Sequence, residues 1–288
     1  MRLDDERESR NVEDRRGQSG GGGRGIAGGG LGLVAVVLVA LFFGVDPGTL
    51  IQALDGGPAP SQSEGQSEGQ SRGPAPDTAN DANARFVSRV LASTEDVWTA
   101  EFRRVGRQYE APRLVLFSGA TRSGCGPAQA AMGPFYCPLD KRVYIDMAFF
   151  RDMERRLGAP GDFARAYVIA HEVGHHVQNL LGILPRAQQM QSRATEREAN
   201  AISVRVELMA DCFAGFWARR ADEMRRILES GDIDEGVNAA AAVGDDRLQG
   251  SGAHQEHFTH GTSAQRTRWF RTGLQAHNVE GCDTFQRG

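Results

Sequence analysis

The sequence has little net charge, few cysteines and few histidines, and each scarcity removes a class of protein. A formal net charge of −4 over 288 residues and a pI near 6.0 give no basic excess. The arginines are interleaved with carboxylates rather than gathered into a stripe, so nucleic acid is excluded as a partner. Four cysteines are too few for a disulfide-dense miniprotein, and without a C-x-x-C pair they do not form a Cys-rich zinc module. Residues 1–25 lack any apolar period and are charged and Gly-rich, which predicts a disordered tail.

Residues 26–45 carry no charge, and a helix of about 20 such residues spans a bilayer. Gly28–Gly30 and Gly32 dilute the stretch, which leaves a cleaved signal peptide as the rival to a transmembrane anchor. Against cleavage, the preceding tail is long and no A-x-A site directly follows. Arg2, Arg7, Arg10, Arg15, Arg16 and Arg24 precede the stretch, and the next basic residue is Arg72. The excess of arginine predicts a single-pass protein of the cytoplasmic membrane, its N-terminus inside and its remaining chain periplasmic or extracellular. Residues 46–84 are rich in Pro, Gly, Ser and Gln, with Ser-Glu-Gly-Gln at 63–66 and again at 67–70, and read as a flexible linker.

Residues 85–288 have the composition of one packed domain. Helical spacing of Phe86, Val90, Val97 and Trp98 predicts a helix over 86–102. Short strands are expected at 114–118 and 143–146, and a helix over 147–157 stopped by Gly158. Helices follow over 163–184, with Asp162 placed to cap it, and over 194–228, and a last one begins at Thr262 or Ser263. The fold class is α+β, mostly helical with a small β-sheet, preceded by one transmembrane helix.

Residues 171–176 read His-Glu-Val-Gly-His-His. Seven histidines and eighteen glutamates shuffled through this length would produce roughly 0.01 H-E-x-x-H strings, so chance does not account for it. At about 3.6 residues per turn, His171 and His175 lie on one helix face and can share a metal ion. Glu172 projects beside that ion, where it can take a proton from water. A catalytic zinc site uses three protein ligands and keeps a position open. The extended metzincin string is excluded, because Gln178 and Leu181 stand where its glycine and third histidine would fall. On the following helix, Glu207 and Asp211 sit one turn apart among apolar neighbours, where carboxylates are costly unless paired or metal-bound. Glu207 is therefore the candidate third ligand, and Asp211 the acceptor for a ligand N–H, that of His171. Two solvated acids on an amphipathic helix are the alternative.

His176 points about 100° away from His175 and reads as a histidine either packed in the core or hydrogen-bonded behind the metal ligands. His254, His257 and His260 cluster near the C-terminus. His260, before Gly261 and a helix start, is either a donor to the oxyanion of peptide hydrolysis or part of a capping loop. Cys125 and Cys137 flank a Gly/Pro-rich loop. Pairing 125–137 with 212–282 is one of three connectivities, four reduced thiols being the alternative. An oxidising exterior agrees with the expected orientation.

Four stretches resemble the bacterial putative neutral zinc metallopeptidase family: 125–150 with its C-G-P and G-P-F-Y-C-P-L-D, 166–181, 203–215, and 258–270 with the Cys-Asp-Thr-Phe at 282–285. The resemblance implies a gluzincin-like zincin fold holding one zinc per chain through His171, His175 and Glu207, with Glu172 as base. Its Thr-His-Gly at 259–261 resembles the Thr-His-Pro of related membrane-associated zincins and implies His260 as an active-site donor. The expected protein is a membrane-anchored zinc metalloendopeptidase acting on peptides or proteins. Its strand at 143–146 is expected to offer a sheet edge to extended substrate. An envelope binding or scaffold protein with a structural or inactive zinc site is the alternative.

Overall fold

A computed structural model describes residues 1–17, 81–250 and 254–286. The strands, in chain order, are Val12–Asp14 (β1), Arg113–Phe117 (β2), Ala120–Ser123 (β3), Gly126–Gln129 (β4), Phe135–Cys137 (β5) and Arg142–Asp146 (β6). One sheet has the order β1-β2-β6-β5, with β1 and β6 parallel to β2 and β5 antiparallel to β6; β3 and β4 form a separate hairpin. Apolar residues run through β2 without alternation because both sheet faces are covered. Leu114 and Leu116 face the main core with Val143 and Ile145, while Val115 and Phe117 join Tyr144 and Cys137 on the other face.

The helices are Ala82–Arg104 (α1), Ala148–Leu157 (α2), Asp162–Leu180 (α3), Ile183–Gln191 (α4), Glu196–Arg225 (α5), Asp232–Ala242 (α6), Asp245–Leu248 (α7) and Ser263–Gln275 (α8). α3 is apolar nearly all round and lies centrally, against α5, α6 and α1. Trp98 of α1 meets Phe213 and Phe216 of α5, and Phe163 of α3 stacks on Trp217. Full burial of each such ring stabilises the fold by about 2–3 kcal/mol. Glycine lets α8 settle onto α5: a Cβ on Gly273 would fall 1.9 Å from the Cys212 carbonyl oxygen, and one on Gly215 2.1 Å from that of Phe270.

Four sequence expectations change. Residues 1–17 are not a disordered tail: Leu3 is buried, β1 extends the sheet, and Glu95 of α1 accepts hydrogen bonds from Arg7 (2.9 Å), Ser9 (2.5 Å) and Asn11 (2.7 Å). The tail's polar groups look solvated in sequence but find buried partners in the fold, and a three-residue strand needs no apolar period.

The transmembrane helix is also corrected. Among the described residues no helix is long and apolar enough to cross a membrane, and the stretch at 26–45 lies outside them. Moreover β1 and β2 share a sheet, so a single crossing between residues 17 and 81 would put two bonded strands on opposite sides of the bilayer.

The strand at 143–146 is not an edge. It lies between β2 and β5, and β5 is the edge strand. Finally, Asp162 does not cap α3. Gly161 holds the cap position, Phe163 N–H donates to Glu235 (3.0 Å), and Asp162 binds the Met1 α-amino group (2.9 Å).

Candidate metal centre

The site forms where α3 and α5 touch. A Cβ on Gly174, the glycine within the His-Glu-Val-Gly-His run, would lie 3.2 Å from the Ala210 carbonyl oxygen and 3.4 Å from Phe213. A glycine there lets the two helices approach closely enough for α5 to deliver Glu207 across both histidines. His171 Nε2 lies 3.2 Å from Glu207 Oε2, and His175 Nε2 3.4 Å from Glu207 Oε1. A tetrahedral zinc ion with bonds of about 2.0–2.2 Å separates its ligand atoms by about 3.3–3.5 Å, so these three donors are spaced to share one.

Electrostatics favour a cation at the same point. Burial opposes charging of His171, but Asp211 and Glu207 outweigh it and raise the ring's pKa to about 9. Burial likewise opposes the Glu207 carboxylate, and the two imidazoles hold it well below the usual range nonetheless. A carboxylate set between two imidazoles thus favours positive charge at this point, and a divalent cation bound there would displace the ring protons.

Around the donors lies a shell of fixed hydrogen bonds. Asp211 is fully buried and accepts from His171 Nδ1 (2.9 Å), from the Tyr167 hydroxyl, and from Arg266 Nε and Nη2 (2.9 Å each). His175 Nδ1 meets Gln178 Oε1 at 2.9 Å. Glu172 is buried in the wall of the same cleft, and that burial pushes its carboxyl upward against the pull of His175 and His171.

The cleft has a volume of about 290 Å³. Met132, Phe149, Val168, Leu184, Val243 and Leu248 give it an apolar wall, and residues 133–136 also line it. His260 lines it too, with Nδ1 3.2 Å from Asp245 Oδ1. Asp245 fixes that loop, since its Oδ2 accepts the backbone N–H groups of Thr259 (2.9 Å), His260 (2.7 Å) and Gly261 (2.9 Å).

The structure therefore brings Glu172, His171, His175, Glu207 and His260 to one cleft, with Asp211 buried behind the His171 ring. His254 and His257 are exposed and stand outside it. His176 is fully buried behind it: Nε2 donates to the Glu110 carbonyl oxygen (2.6 Å) and Nδ1 faces the Tyr136 hydroxyl (3.1 Å). Cys125 is bonded to Cys137 and Cys212 to Cys282. The first bond ties the hairpin to edge strand β5, and the second anchors the C-terminal segment to α5 beside Asp211.

Sequence reasoning missed Arg266, Asp245 and the hydrogen bond of Gln178. Arg266 had a signal, for it shares a helix face with Trp269, Phe270 and Gly273 at spacings of three, four and seven, where a solvated arginine has no place. Asp245 had none, because only the fold carries it to the His260 loop.

The sequence profile of the family described as "Putative neutral zinc metallopeptidase" matches residues 1–285. The chain belongs to that family. It is 48% identical to uncharacterized protein YpfJ of Escherichia coli (strain K12) over 99% of either chain. It is 42% identical to uncharacterized protein Rv2575 of Mycobacterium tuberculosis over 85% of either chain. No solved structure matches. The profile takes in residues 1–17, which form part of the sheet, and its description names zinc.

Proposed function

We propose that this protein is a zinc endopeptidase holding one zinc per chain through His171, His175 and Glu207. The observation that carries this reading is the spacing of those three donors beside a buried glutamate in an open cleft. Bound there, zinc supplies Lewis-acid chemistry, polarising the scissile carbonyl and bringing the pKa of a water towards about 7.

The chain's own groups do the rest. Glu172 accepts the proton of the attacking water and passes it to the departing amine nitrogen. His260 faces the cleft with Nδ1 held by Asp245, and its ring is available to donate to the negative charge growing on the carbonyl oxygen. Asp211 and Arg266 keep the His171 ring from turning. Edge strand β5 borders the cleft and offers its backbone to an extended peptide or protein substrate. The two disulfides support an oxidising compartment outside the cytoplasm as the place of action.

A closed structural zinc site uses four protein ligands. Among the described residues, three donors lie within mutual reach here, which favours the enzyme over a scaffold role. The test compares the wild type with Glu172→Gln: zinc content of about one per chain in both, and peptide-bond cleavage in the wild type alone. Equal cleavage by both would overturn the mechanism, and a zinc-free wild type would overturn the site.

A further inference from the structure

Gln178 lies one turn beyond His175 on α3 and has no exposed surface. Its side chain spans two helices, with Oε1 2.9 Å from His175 Nδ1 and Nε2 2.7 Å from the Val206 carbonyl oxygen on α5. The chemistry of the partners fixes which way the amide faces. A peptide carbonyl can only accept a hydrogen bond, so the amide N–H₂ must face Val206, and the amide oxygen must face the imidazole. That oxygen can only accept, so Nδ1 of His175 carries a proton, and Nε2, 3.4 Å from Glu207, is the ring nitrogen left to face a metal ion.

The Val206 carbonyl belongs to the peptide unit that leads directly into Glu207. Gln178 therefore joins two candidate metal donors through one rigid amide: the ring of His175 on one side, the backbone before Glu207 on the other. His171 is held differently, by the carboxylate of Asp211. A second carboxylate at position 178 would place a fourth acid beside Glu172, Glu207 and Asp211 and would repel the Val206 oxygen. A neutral amide serves as acceptor and donor at once without adding charge.

We propose that Gln178 is a positioning residue of the metal centre, fixing the tautomer and rotation of His175 and its register with Glu207. The inference rests on the zinc reading above. Its alternative is that Gln178 merely satisfies a buried carbonyl, which would affect stability and leave metal binding alone.

The test uses the full-length chain with two readouts. Zinc affinity, measured by competition with a chelator, is expected to fall on the order of 10–100-fold in Gln178→Met, which keeps length and removes both hydrogen bonds. Affinity within about twofold of wild type, in a folded variant, overturns the proposal. Nitrogen-15 NMR of the wild type, labelled at histidine and loaded with zinc, covers the case in which the variant does not fold. His175 should show a protonated Nδ1 and a metal-bound Nε2, and the opposite assignment overturns the proposal without any variant. If the wild type binds no zinc, the zinc reading itself has failed. If it binds zinc and the variant binds equally well, only the role of Gln178 has failed.

Discussion

Arg266 meets Asp211 side-on, with Nε 2.9 Å from Oδ2 and Nη2 2.9 Å from Oδ1, and both residues are buried. The pair joins α8 to α5 directly behind the His171 ring. Removing one partner of a buried ion pair strands the other charge and costs about 3–5 kcal/mol. Arg266→Leu should lose that much in chemical denaturation of the metal-free protein. Arg266→Lys should recover only part, because a point charge cannot reach both oxygens in the same geometry. A change below about 1 kcal/mol for Arg266→Leu, the size of an ordinary surface substitution, would show that the pair does not hold the helices.

The two carboxylates of α5 make different demands on zinc. Glu207→Ala leaves two protein donors, so zinc and activity should disappear together. Asp211→Asn keeps the donor count and loosens one ring, so affinity should fall on the order of 10–100-fold. The opposite result, metal lost with Asp211→Ala and kept with Glu207→Ala, would exchange their roles.

His260 and Asp245 should act in turnover and not in metal binding. His260→Ala is expected to reduce kcat by roughly 10²–10³, the usual cost of one oxyanion donor, with zinc content unchanged. Asp245→Asn removes the charge that the ring faces while sparing most of the loop's backbone contacts. It should lower kcat with KM little altered. Loss of zinc in His260→Ala would place that residue at the metal instead.

His176 gives a pH dependence of known sign. Burial disfavours its charged form and lowers its pKa from 6.5 to about 4. Between those values the unfolded chain binds the proton and the folded chain does not, so stability falls as pH drops through that window. The shift corresponds to about 3 kcal/mol at most. The difference in unfolding free energy between wild type and His176→Gln should therefore shrink from pH 7 to pH 4. A pH-independent difference would mean that the buried ring titrates normally.

The docking of residues 1–17 predicts a topology. Cysteines introduced singly at the exposed positions Arg10 and Arg107 should both react, or both be protected, when a membrane-impermeant maleimide is added to intact cells, and both should react after lysis. Labelling from opposite sides would mean that β1 does not pair with β2 in the cell. Deletion of 1–17 should destabilise the domain by several kcal/mol, on the order of a broken buried pair, because Glu95 loses the groups that satisfy it.

The sequence by itself determined the parts of this protein that depend on local spacing. Helical period put His171 and His175 on one face, and the isolated carboxylates at Glu207 and Asp211, set in an apolar stretch, announced a paired or metal-bound role. The start of the last helix was legible too, in the Thr262–Gln265 capping box. Only the tertiary structure decided what depends on long-range approach. It took Gly174 to bring Glu207 across the two histidines, and the nesting of Gly215 and Gly273 to lay Arg266 on Asp211. The same holds for the tail, whose polar residues read as solvated until Glu95, more than eighty positions away, accepts them. It holds for β6, whose edge is covered by β5. Local pattern fixes which face a residue occupies on its own element, whereas burial and hydrogen-bond partners are properties of two surfaces, and the second surface is set by the fold.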